Sequence, residues 1–263
     1  MGQSTEIVAV ANEKGGVGKT VTVINLGAAL SLMGKAVLVV DMDPQANATK
    51  GLGVKTEDVK FSTYDMITRP ASFSFTDGIT NTRWERLDLI PAHIDLAGAE
   101  IELANKIGRE NRLREALEKL PVRYDYVLLD TPPSLSLLTV NVFACAGKVL
   151  VPCQTHPYSF DALTELFDTI QTIKKYINKD LNVIGILATF FDKRTRVSHR
   201  ILEKLTSDDR YGPYLFDTII RINTTIAESA ATGKPVVFFR KGSFGAMDFI
   251  SLAEEIHVRV KNS

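Results

Sequence analysis

Residues 6–25 read EIVAVANEKGGVGKTVTVIN, and this stretch decides the fold. An apolar run ends at Ala11 and gives way to a glycine-rich segment, after which Gly18, Lys19 and Thr20 open a segment with helical spacing. Glycines let the main chain approach phosphate oxygens closely, and the N-terminus of a helix adds partial positive charge there. The order strand, loop, helix therefore predicts a phosphate-binding loop, or P-loop.

Within this loop, Lys19 is expected to reach the β- and γ-phosphates of a nucleoside triphosphate, and Thr20 to ligate Mg²⁺. The standard P-loop spacing requires a glycine at position 13, where this chain has Glu13 followed by Lys14. The alternative interpretation is a glycine-rich turn that binds no ligand. A Gly-Lys-Thr between a strand and a helix favours the P-loop.

Composition limits the classes of partner. The 263 residues contain 31 Lys plus Arg and 31 Asp plus Glu, so any contact with DNA or a membrane must use a local patch of charge. The two cysteines, Cys145 and Cys153, lack the spacing of a zinc site and are expected to be buried reduced thiols. No signal peptide and no run near 18 apolar residues is found, which predicts a cytoplasmic protein.

Buried strands alternate with helical segments along most of the chain. This alternation predicts an α/β fold with a doubly wound, mostly parallel sheet flanked by helices, in a single domain over residues 1–263. A long helix is expected over 95–120, and residues 51–92 are expected to carry one more strand. The remaining strands are expected at 36–41, 124–130, 148–154, 182–191 and 214–221, and the other helices at 21–33, 134–145, 159–177, 196–206 and 245–260.

Aspartates stand where two of these strands end. Asp41 and Asp43 follow one apolar run and Asp130 ends another. Ligands of parallel sheets bind at the carboxyl ends of the strands, and Mg²⁺ prefers hard oxygen ligands. Asp130 fits the role of a Walker B aspartate that holds a Mg²⁺-bound water. A single strand-end aspartate is usually a cap or turn residue, but several beside a P-loop indicate a metal–nucleotide site.

The segment Lys14-Gly-Gly-Val-Gly-Lys-Thr20 resembles the deviant Walker A motif of the ParA/MinD superfamily of P-loop ATPases. Residues 40–49, VDMDPQANAT, look like the segment after the second strand of ParA/Soj-type partition ATPases. Further stretches similar to the same subgroup are 87–100 (LDLIPAHIDLAGAE), 130–133 (DTPP), 191–198 (FDKRTRVS) and 233–236 (GKPV).

The resemblance implies an ATPase that uses ATP and Mg²⁺ and forms a homodimer on binding ATP. Lys14 matches the signature lysine that reaches the partner subunit's nucleotide, and Asp43 matches the residue that positions the attacking water. The implied catalytic residues are Lys14, Lys19 and Asp43. The implied Mg²⁺-binding residues are Thr20, Asp43 and Asp130, with the aspartates binding the ion through water. Slow intrinsic hydrolysis is expected. The implied nucleotide-binding residues are Lys14, Gly15, Gly16, Val17, Gly18, Lys19, Thr20 and Val21.

The resemblance also implies that the ATP dimer binds DNA without sequence preference, in association with the nucleoid. It implies a ParB-like partner that stimulates hydrolysis through a basic N-terminal segment. Where the family often has a second arginine after Arg221, this chain has Thr225, which leaves the position of the basic patch open. The chain begins at its first strand, so no N-terminal domain that reads DNA sequence is expected. The candidate DNA-binding residues are Arg194, Arg196, Arg200, Arg221, Arg240 and Lys241.

Three other functions fit the sequence less well. A membrane-associated, MinD-like positioning ATPase is disfavoured because the last helix carries Asp248, Glu254 and Glu255, where an anionic membrane would attract Lys and Arg. A metallocluster carrier related to nitrogenase iron protein would need cysteines that meet across a dimer axis, and Cys145 and Cys153 lie at the two ends of one strand-like run. A Rossmann dinucleotide binder would need G-x-G-x-x-G, which is missing.

Overall fold

The computed structural model describes residues 5–157 and 159–262. Within these residues eight strands form one sheet in the order β3-β4-β2-β5-β1-β6-β7-β8. All neighbours pair in parallel except β3 and β4. The strands are β1 (Glu6–Val10), β2 (Val37–Asp41), β3 (Thr80–Asn81), β4 (Leu87–Ile90), β5 (Tyr126–Asp130), β6 (Lys148–Gln154), β7 (Asn182–Phe191) and β8 (Leu215–Arg221).

Helices cover both faces of the sheet, because the central strands are apolar on both sides. Every residue of β2 and of β5 is buried, as expected for parallel strands between two helical layers. The helices are α1 (Lys19–Leu32), α2 (Asn47–Gly51), α3 (Thr63–Thr68), α4 (Phe75–Gly78), α5 (Leu96–Leu103), α6 (Arg112–Leu117), α7 (Leu137–Cys145), α8 (Ser159–Tyr176), α9 (Arg196–Ser207), α10 (Thr224–Ala231), α11 (Val236–Phe239) and α12 (Phe244–Lys261).

Each helical layer has its own apolar core. Leu26 and Leu30 of α1 and Phe249 and Leu252 of α12 belong to one cluster. Helices α3 and α5 to α9 contribute to the other, on the opposite face of the sheet. The predicted α/β, doubly wound and mostly parallel architecture is confirmed.

The structure differs from the sequence prediction in three respects. The single helix expected over 95–120 is broken into α5, a 3-10 turn at Arg109–Asn111 and α6, and Gly108 stands at the break with a φ of 69°. Helix α5 ends at Leu103, and a residue in the left-handed region at 108 cannot continue a helix, which an apolar periodicity does not reveal. Residues 51–92 carry two strands instead of the one predicted. The additional strand, β3, has only two residues and is too short to show an alternating pattern. The short helices α2, α3, α4, α10 and α11 were not predicted.

The carboxylates of α12 also face differently from the expectation. Asp248 is buried and Glu255 is half-buried against β8, so of the three acidic residues only Glu254 is exposed. The apolar face of α12 packs on the sheet as predicted. The sequence prediction that Asp248 and Glu255 lie on an acidic outer face of α12 is therefore wrong for these two side chains.

Candidate functional site

The segment between β1 and α1 forms a tight loop at the carboxyl end of β1. Gly16 and Gly18 have φ angles of 75° and 92°, a region that side chains with a Cβ rarely adopt. This reason does not apply to Gly15. Its φ is not positive, and a Cβ there would lie at an ordinary contact distance of 3.8 Å from the Cβ of Pro133. The backbone conformation therefore accounts for two of the three glycines.

Hydrogen bonds to β6, to β7 and to the residue after β5 hold this loop and the end of β1. The Asn12 amide donates to the carbonyl of Pro152 at 2.8 Å, and its oxygen accepts the Lys14 N–H at 2.9 Å. The hydroxyl of Thr189 at the end of β7 donates to the carbonyl of Val17 at 2.9 Å. The hydroxyl of Thr131 donates to the carbonyl of Val10. The loop is thus fixed before any ligand is bound.

Lys19, the first residue of α1, points its amine into the loop. Its Nζ donates to the carbonyl of Lys14 at 3.1 Å, and the side chain is only 6 % exposed. Burial lowers the pKa of Lys19, while the charges of Asp130 and Asp43 partly oppose this effect. A buried ammonium held beside the loop backbone is suited to bind phosphate oxygens.

Asp130 is the most unusual residue of the site. It is completely buried, and within the described residues neither carboxylate oxygen has a hydrogen bond of regular geometry. Burial raises its pKa well above the usual range, helped by the charge of Asp41 and opposed by the nearby Thr20 hydroxyl and Lys19. A buried carboxylate without a partner is costly, so this position fits a site for a cation.

Asp41 and Asp43 have different surroundings although they are two residues apart. The carboxylate of Asp41 accepts the N–H of Thr49 at 2.8 Å and the Thr49 hydroxyl at 2.7 Å. Burial raises the pKa of Asp41 to about 6, against these hydrogen bonds. Asp43 accepts the N–H of Gln45 at 2.9 Å and lines the cavity beside the loop. Asp41 therefore anchors α2, and Asp43 faces the ligand space.

A cavity of about 320 Å³ lies above the loop. Sequence analysis missed four of its residues. Gln45 and Asn47 directly follow Asp43 in the chain, so the resemblance of that segment could have indicated them. Pro133 ends the resembling stretch 130–133 and had the same signal, whereas Phe190 had none. The lining residues are Gly15, Gly16, Gly18, Lys19, Thr20, Val21, Asp43, Gln45, Asn47, Pro133 and Phe190.

A second, mostly apolar cavity of about 340 Å³ adjoins the first. Gly18, Val21 and Phe190 line both cavities. Its outer wall comes from the end of β8 and from α10, including Arg221, Asn223 and Ile226. The two cavities together form a space that is polar at the loop and apolar farther out.

Lys14 and Val17 complete the predicted loop residues. Lys14 is half-buried, and its carbonyl and N–H take part in the contacts described above. Val17 is 2 % exposed and sits under the loop. Within residues 5–157 and 159–262, no three His, Cys, Asp or Glu side chains are close enough to hold a metal ion by themselves. A Mg²⁺ here would therefore need Thr20, water or phosphate oxygens as well.

The predicted DNA-binding residues fall into two groups. Arg194, Arg196 and Arg200 lie in or just before the first turns of α9, and all are exposed. Asp192 accepts two hydrogen bonds from the Arg194 guanidinium, at 2.9 and 2.8 Å, which partly neutralises that charge.

The second group lies around the start of α12. Arg221 is paired with the buried Asp248 and stacks 4.6 Å from the ring centre of Phe244. Arg240 and Lys241 are exposed in the segment before α12. Of these three cations, Arg221 is therefore already engaged within the fold.

The cysteines are free thiols in separate elements. Cys145 ends α7 and Cys153 lies in β6, and burial raises the pKa of both to about 12. Neither thiol is therefore set up as a thiolate ligand.

Through the part of the chain that the structure describes, no helix is both long enough and apolar enough to span a membrane.

Comparisons with known proteins identify relatives of this chain. A family model described as an AAA domain matches residues 5–183. The chain is 42 % identical over 251 residues to the sporulation initiation inhibitor protein Soj of Bacillus subtilis, covering 95 % of this chain and 98 % of Soj. It is 39 % identical over 253 residues to the chromosome partitioning protein ParA of Myxococcus xanthus, covering 96 % of this chain and 88 % of that protein.

A solved structure is also similar to this chain over almost its whole length. Cobyrinic acid a,c-diamide synthase from Mycobacterium smegmatis, with a bound ATP analogue and magnesium, superposes with a TM-score of 0.82 at 35 % identity. The match covers 98 % of this chain and 96 % of that one. A protein of this fold therefore binds the kind of ligand that the loop and the buried aspartate favour.

Proposed function

Since the chain belongs to the ParA/Soj family of partition ATPases, we propose that it is an ATPase whose ATP-bound homodimer binds DNA without sequence preference. Hydrolysis then releases the dimer from DNA, and the cycle positions a plasmid, a chromosome or a protein cargo in the cytoplasm, at the nucleoid. The observation that carries the proposal is the buried carboxylate of Asp130, which has no hydrogen bond of regular geometry among the described residues and lies near Lys19 and the glycine-rich loop.

The two adjoining cavities would hold different parts of the nucleotide. Residues 14–21 would hold the phosphates, because Lys19 and the positive-φ glycines Gly16 and Gly18 lie there. The base would enter the apolar cavity, which begins at Gly18 and Val21 and is closed by α10. Apolar walls with few polar groups are typical of sites for flat aromatic ligands.

Three residues are suited to a magnesium ion. Thr20 would bind the ion directly through its hydroxyl, and Asp43 and Asp130 would accept hydrogen bonds from its waters. The ion, when bound, neutralises charge on the phosphate oxygens. It would also relieve the cost of keeping Asp130 ionised in a buried site.

Hydrolysis would need both subunits. Asp43 lines the cavity beside the loop and would be the carboxylate that orients an attacking water. Lys14 would act on the nucleotide of the partner subunit, placing a cation on the transferred phosphoryl group only after the dimer forms. This requirement would make the intrinsic rate slow and would let ATP control assembly.

The DNA surface would use α9 first. Arg196 and Arg200 are exposed there beside Arg194, and Arg240 and Lys241 form a second exposed group. Arg221 is the weakest of the six candidates, because Asp248 already satisfies its guanidinium. A ParB-like protein with a basic N-terminal segment would be the partner that stimulates hydrolysis.

The direct test is binding to random-sequence duplex DNA with ATP, with ADP and without nucleotide. Binding that requires ATP, and that Lys19→Ala abolishes, is the expected result. Anionic vesicles serve as the second ligand in the same assay. ATP-dependent binding to vesicles but not to DNA would contradict the proposal and favour a membrane-associated positioning ATPase.

A further inference from the structure

Phe190 has an unusual backbone conformation for its residue type. Its φ is 53°, in the left-handed region, and within the described residues only Ala46 and Arg86 share this among non-glycines. A bulky residue in this region is strained, and such strain persists where the surrounding structure enforces it. The pairing of β7 with β8 is irregular at the same place, between Ala188 and Phe191.

The side chain of Phe190 lies between the two cavities of the candidate nucleotide site. It lines both of them and packs against the phosphate loop. A Cβ added to Gly18 would stand 3.4 Å from Cε2 of the Phe190 ring. A ligand that occupies both cavities would therefore have to contact or displace this ring.

The backbone of Phe190 is linked to the first turn of α9 by buried hydroxyl groups. The Thr155 hydroxyl lies 3.3 Å from the carbonyl of Phe190 and also 3.3 Å from the hydroxyl of Ser198. Ser198 in turn accepts the N–H of Asp192 at 3.3 Å and lies 3.1 Å from the Thr195 hydroxyl. Both Thr155 and Ser198 are buried.

The Thr155 hydroxyl has three acceptors within reach: the carbonyl of Phe190 and the hydroxyl of Ser198, each at 3.3 Å, and the carbonyl of Thr189 at 3.5 Å. Thr155 has one hydroxyl proton, so it can donate fully to only one of them at a time. Donation to Phe190 would hold the end of β7, and donation to Ser198 would hold the start of α9. Coupling between two sites needs such an element with two discrete states.

We propose that Phe190 senses the bound nucleotide and that the hydroxyls of Thr155 and Ser198 pass its position to the basic start of α9. Occupation of the site moves the Phe190 ring, and the carbonyl of Phe190 moves with its backbone. Thr155 then changes its acceptor, and the first turn of α9, with Arg194, Arg196 and Arg200, shifts. The link to DNA rests on the proposed function, whereas the link from nucleotide to α9 does not.

The first test is hydrogen exchange of the wild-type protein with and without saturating Mg-ADP. ADP is used because the proposed function ties dimer formation to ATP. Amides of residues 195–200 line neither cavity, and their exchange rates are expected to change at least threefold. Unchanged exchange in this segment, with nucleotide binding shown in the same sample, would overturn the inference.

The second test is the variant Thr155→Val, which keeps the shape and removes the hydroxyl. It should bind nucleotide within twofold of the wild type, while the ratio of DNA affinities with ATP analogue and with ADP falls at least threefold. Thr206→Val is the matched control, since that hydroxyl lies on α9 and donates to Leu202 away from the cluster. A wild-type ratio in Thr155→Val would contradict the coupling.

The two tests separate this inference from the proposed function. If the wild type shows no nucleotide-dependent DNA binding, the proposed function fails while the exchange measurement still decides the coupling. If Thr155→Val does not fold, as judged by circular dichroism, the exchange result for the wild type decides alone.

Discussion

At the scale of single residues, Asp41 and Asp130 show how neighbours decide the role of a carboxylate. Both end a buried strand, and they face each other in the pairing of β2 with β5. Asp41 is satisfied by Thr49, whereas Asp130 has no regular hydrogen bond among the described residues. The first carboxylate stabilises the fold, and the second is kept at a cost in stability that a ligand would remove.

This difference gives a prediction for Asp130→Asn. The amide has nearly the same shape and no charge, so the free energy of unfolding without ligand should rise by about 1 kcal/mol. Stabilisation by Mg-ATP should fall sharply in the same variant, because the Mg²⁺ waters then face a neutral amide instead of a negatively charged acceptor. Thermal unfolding with and without Mg-ATP measures both effects. A variant that is stabilised by Mg-ATP as strongly as the wild type would show that Asp130 has no role at the metal.

Asp43 has a separate prediction, because its carboxylate lines the cavity beside the loop and accepts the N–H of Gln45. Asp43→Ala should keep ATP-dependent DNA binding and lose turnover by about 10²-fold or more, as expected when a group that positions the nucleophile is removed. Phosphate release and DNA binding are measured on the same preparation. Asp77→Ala, an exposed carboxylate in α4, is the control. Normal turnover in Asp43→Ala would move the water-positioning role to another residue.

At the scale of elements, α12 protects the edge of the sheet. The carboxylate of Glu255 accepts the N–H groups of Asp217 and Thr218 at 3.0 and 2.9 Å, and Asp248 accepts that of Arg221 at 3.0 Å. These N–H groups belong to β8, which has a neighbour on only one side. An exposed edge strand can pair with another chain, and the carboxylates of α12 prevent this.

The contacts of Glu255 predict a pH-dependent stability. Burial alone would raise the pKa of Glu255, but hydrogen bonds from Thr218 and Asp217 and the charge of Arg259 lower it below 4.5. A lowered pKa means that the stabilisation is complete above pH 4.5 and is lost as the pH falls through the pKa of the folded state. Glu255→Gln should therefore cost about 1–2 kcal/mol near pH 7, and less at pH 3 to 4.

Urea unfolding over this pH range measures the difference between wild type and variant. Glu254→Gln is the matched control, because Glu254 is exposed on the same helix. A cost for Glu255→Gln that stays constant from pH 7 to pH 3 would mean that packing, and not the carboxylate, supplies the stabilisation.

Elements differ in how far the sequence predicts them, for physical reasons. The loop from Asn12 to Thr20 is local, so its glycines and Gly-Lys-Thr are sufficient signals, and long apolar strands are equally clear. The link from Phe190 through Thr155 to Ser198 joins residues 35 and 43 positions apart. No pattern of period 2 or 3.6 encodes such a contact, and the break at Gly108 depends on a single φ angle. What was missed therefore includes long-range polar contacts, single backbone conformations, and elements such as β3 and α11 that are too short to show a period.

At the scale of the whole molecule, the equal numbers of positive and negative residues mean that DNA binding must depend on a few local charges. Arg196 and Arg200 lie on an exposed face of α9 at the carboxyl end of the sheet, the same end as the phosphate loop. Each phosphate contact that is lost lowers the slope of log affinity against log salt by about 0.9. A dimer would lose the contact twice.

Arg196→Ala should therefore weaken ATP-dependent DNA binding and reduce the salt slope by about 2 for the dimer, with nucleotide affinity unchanged. Arg123→Ala is the control, because Arg123 is exposed just before β5, at the opposite end of the sheet. Titrations of random-sequence duplex at four salt concentrations give both slopes. If Arg196→Ala keeps the wild-type slope while Arg123→Ala lowers it, the DNA surface lies at the amino end of the strands, and the phosphate loop and the DNA would be on opposite sides of the molecule.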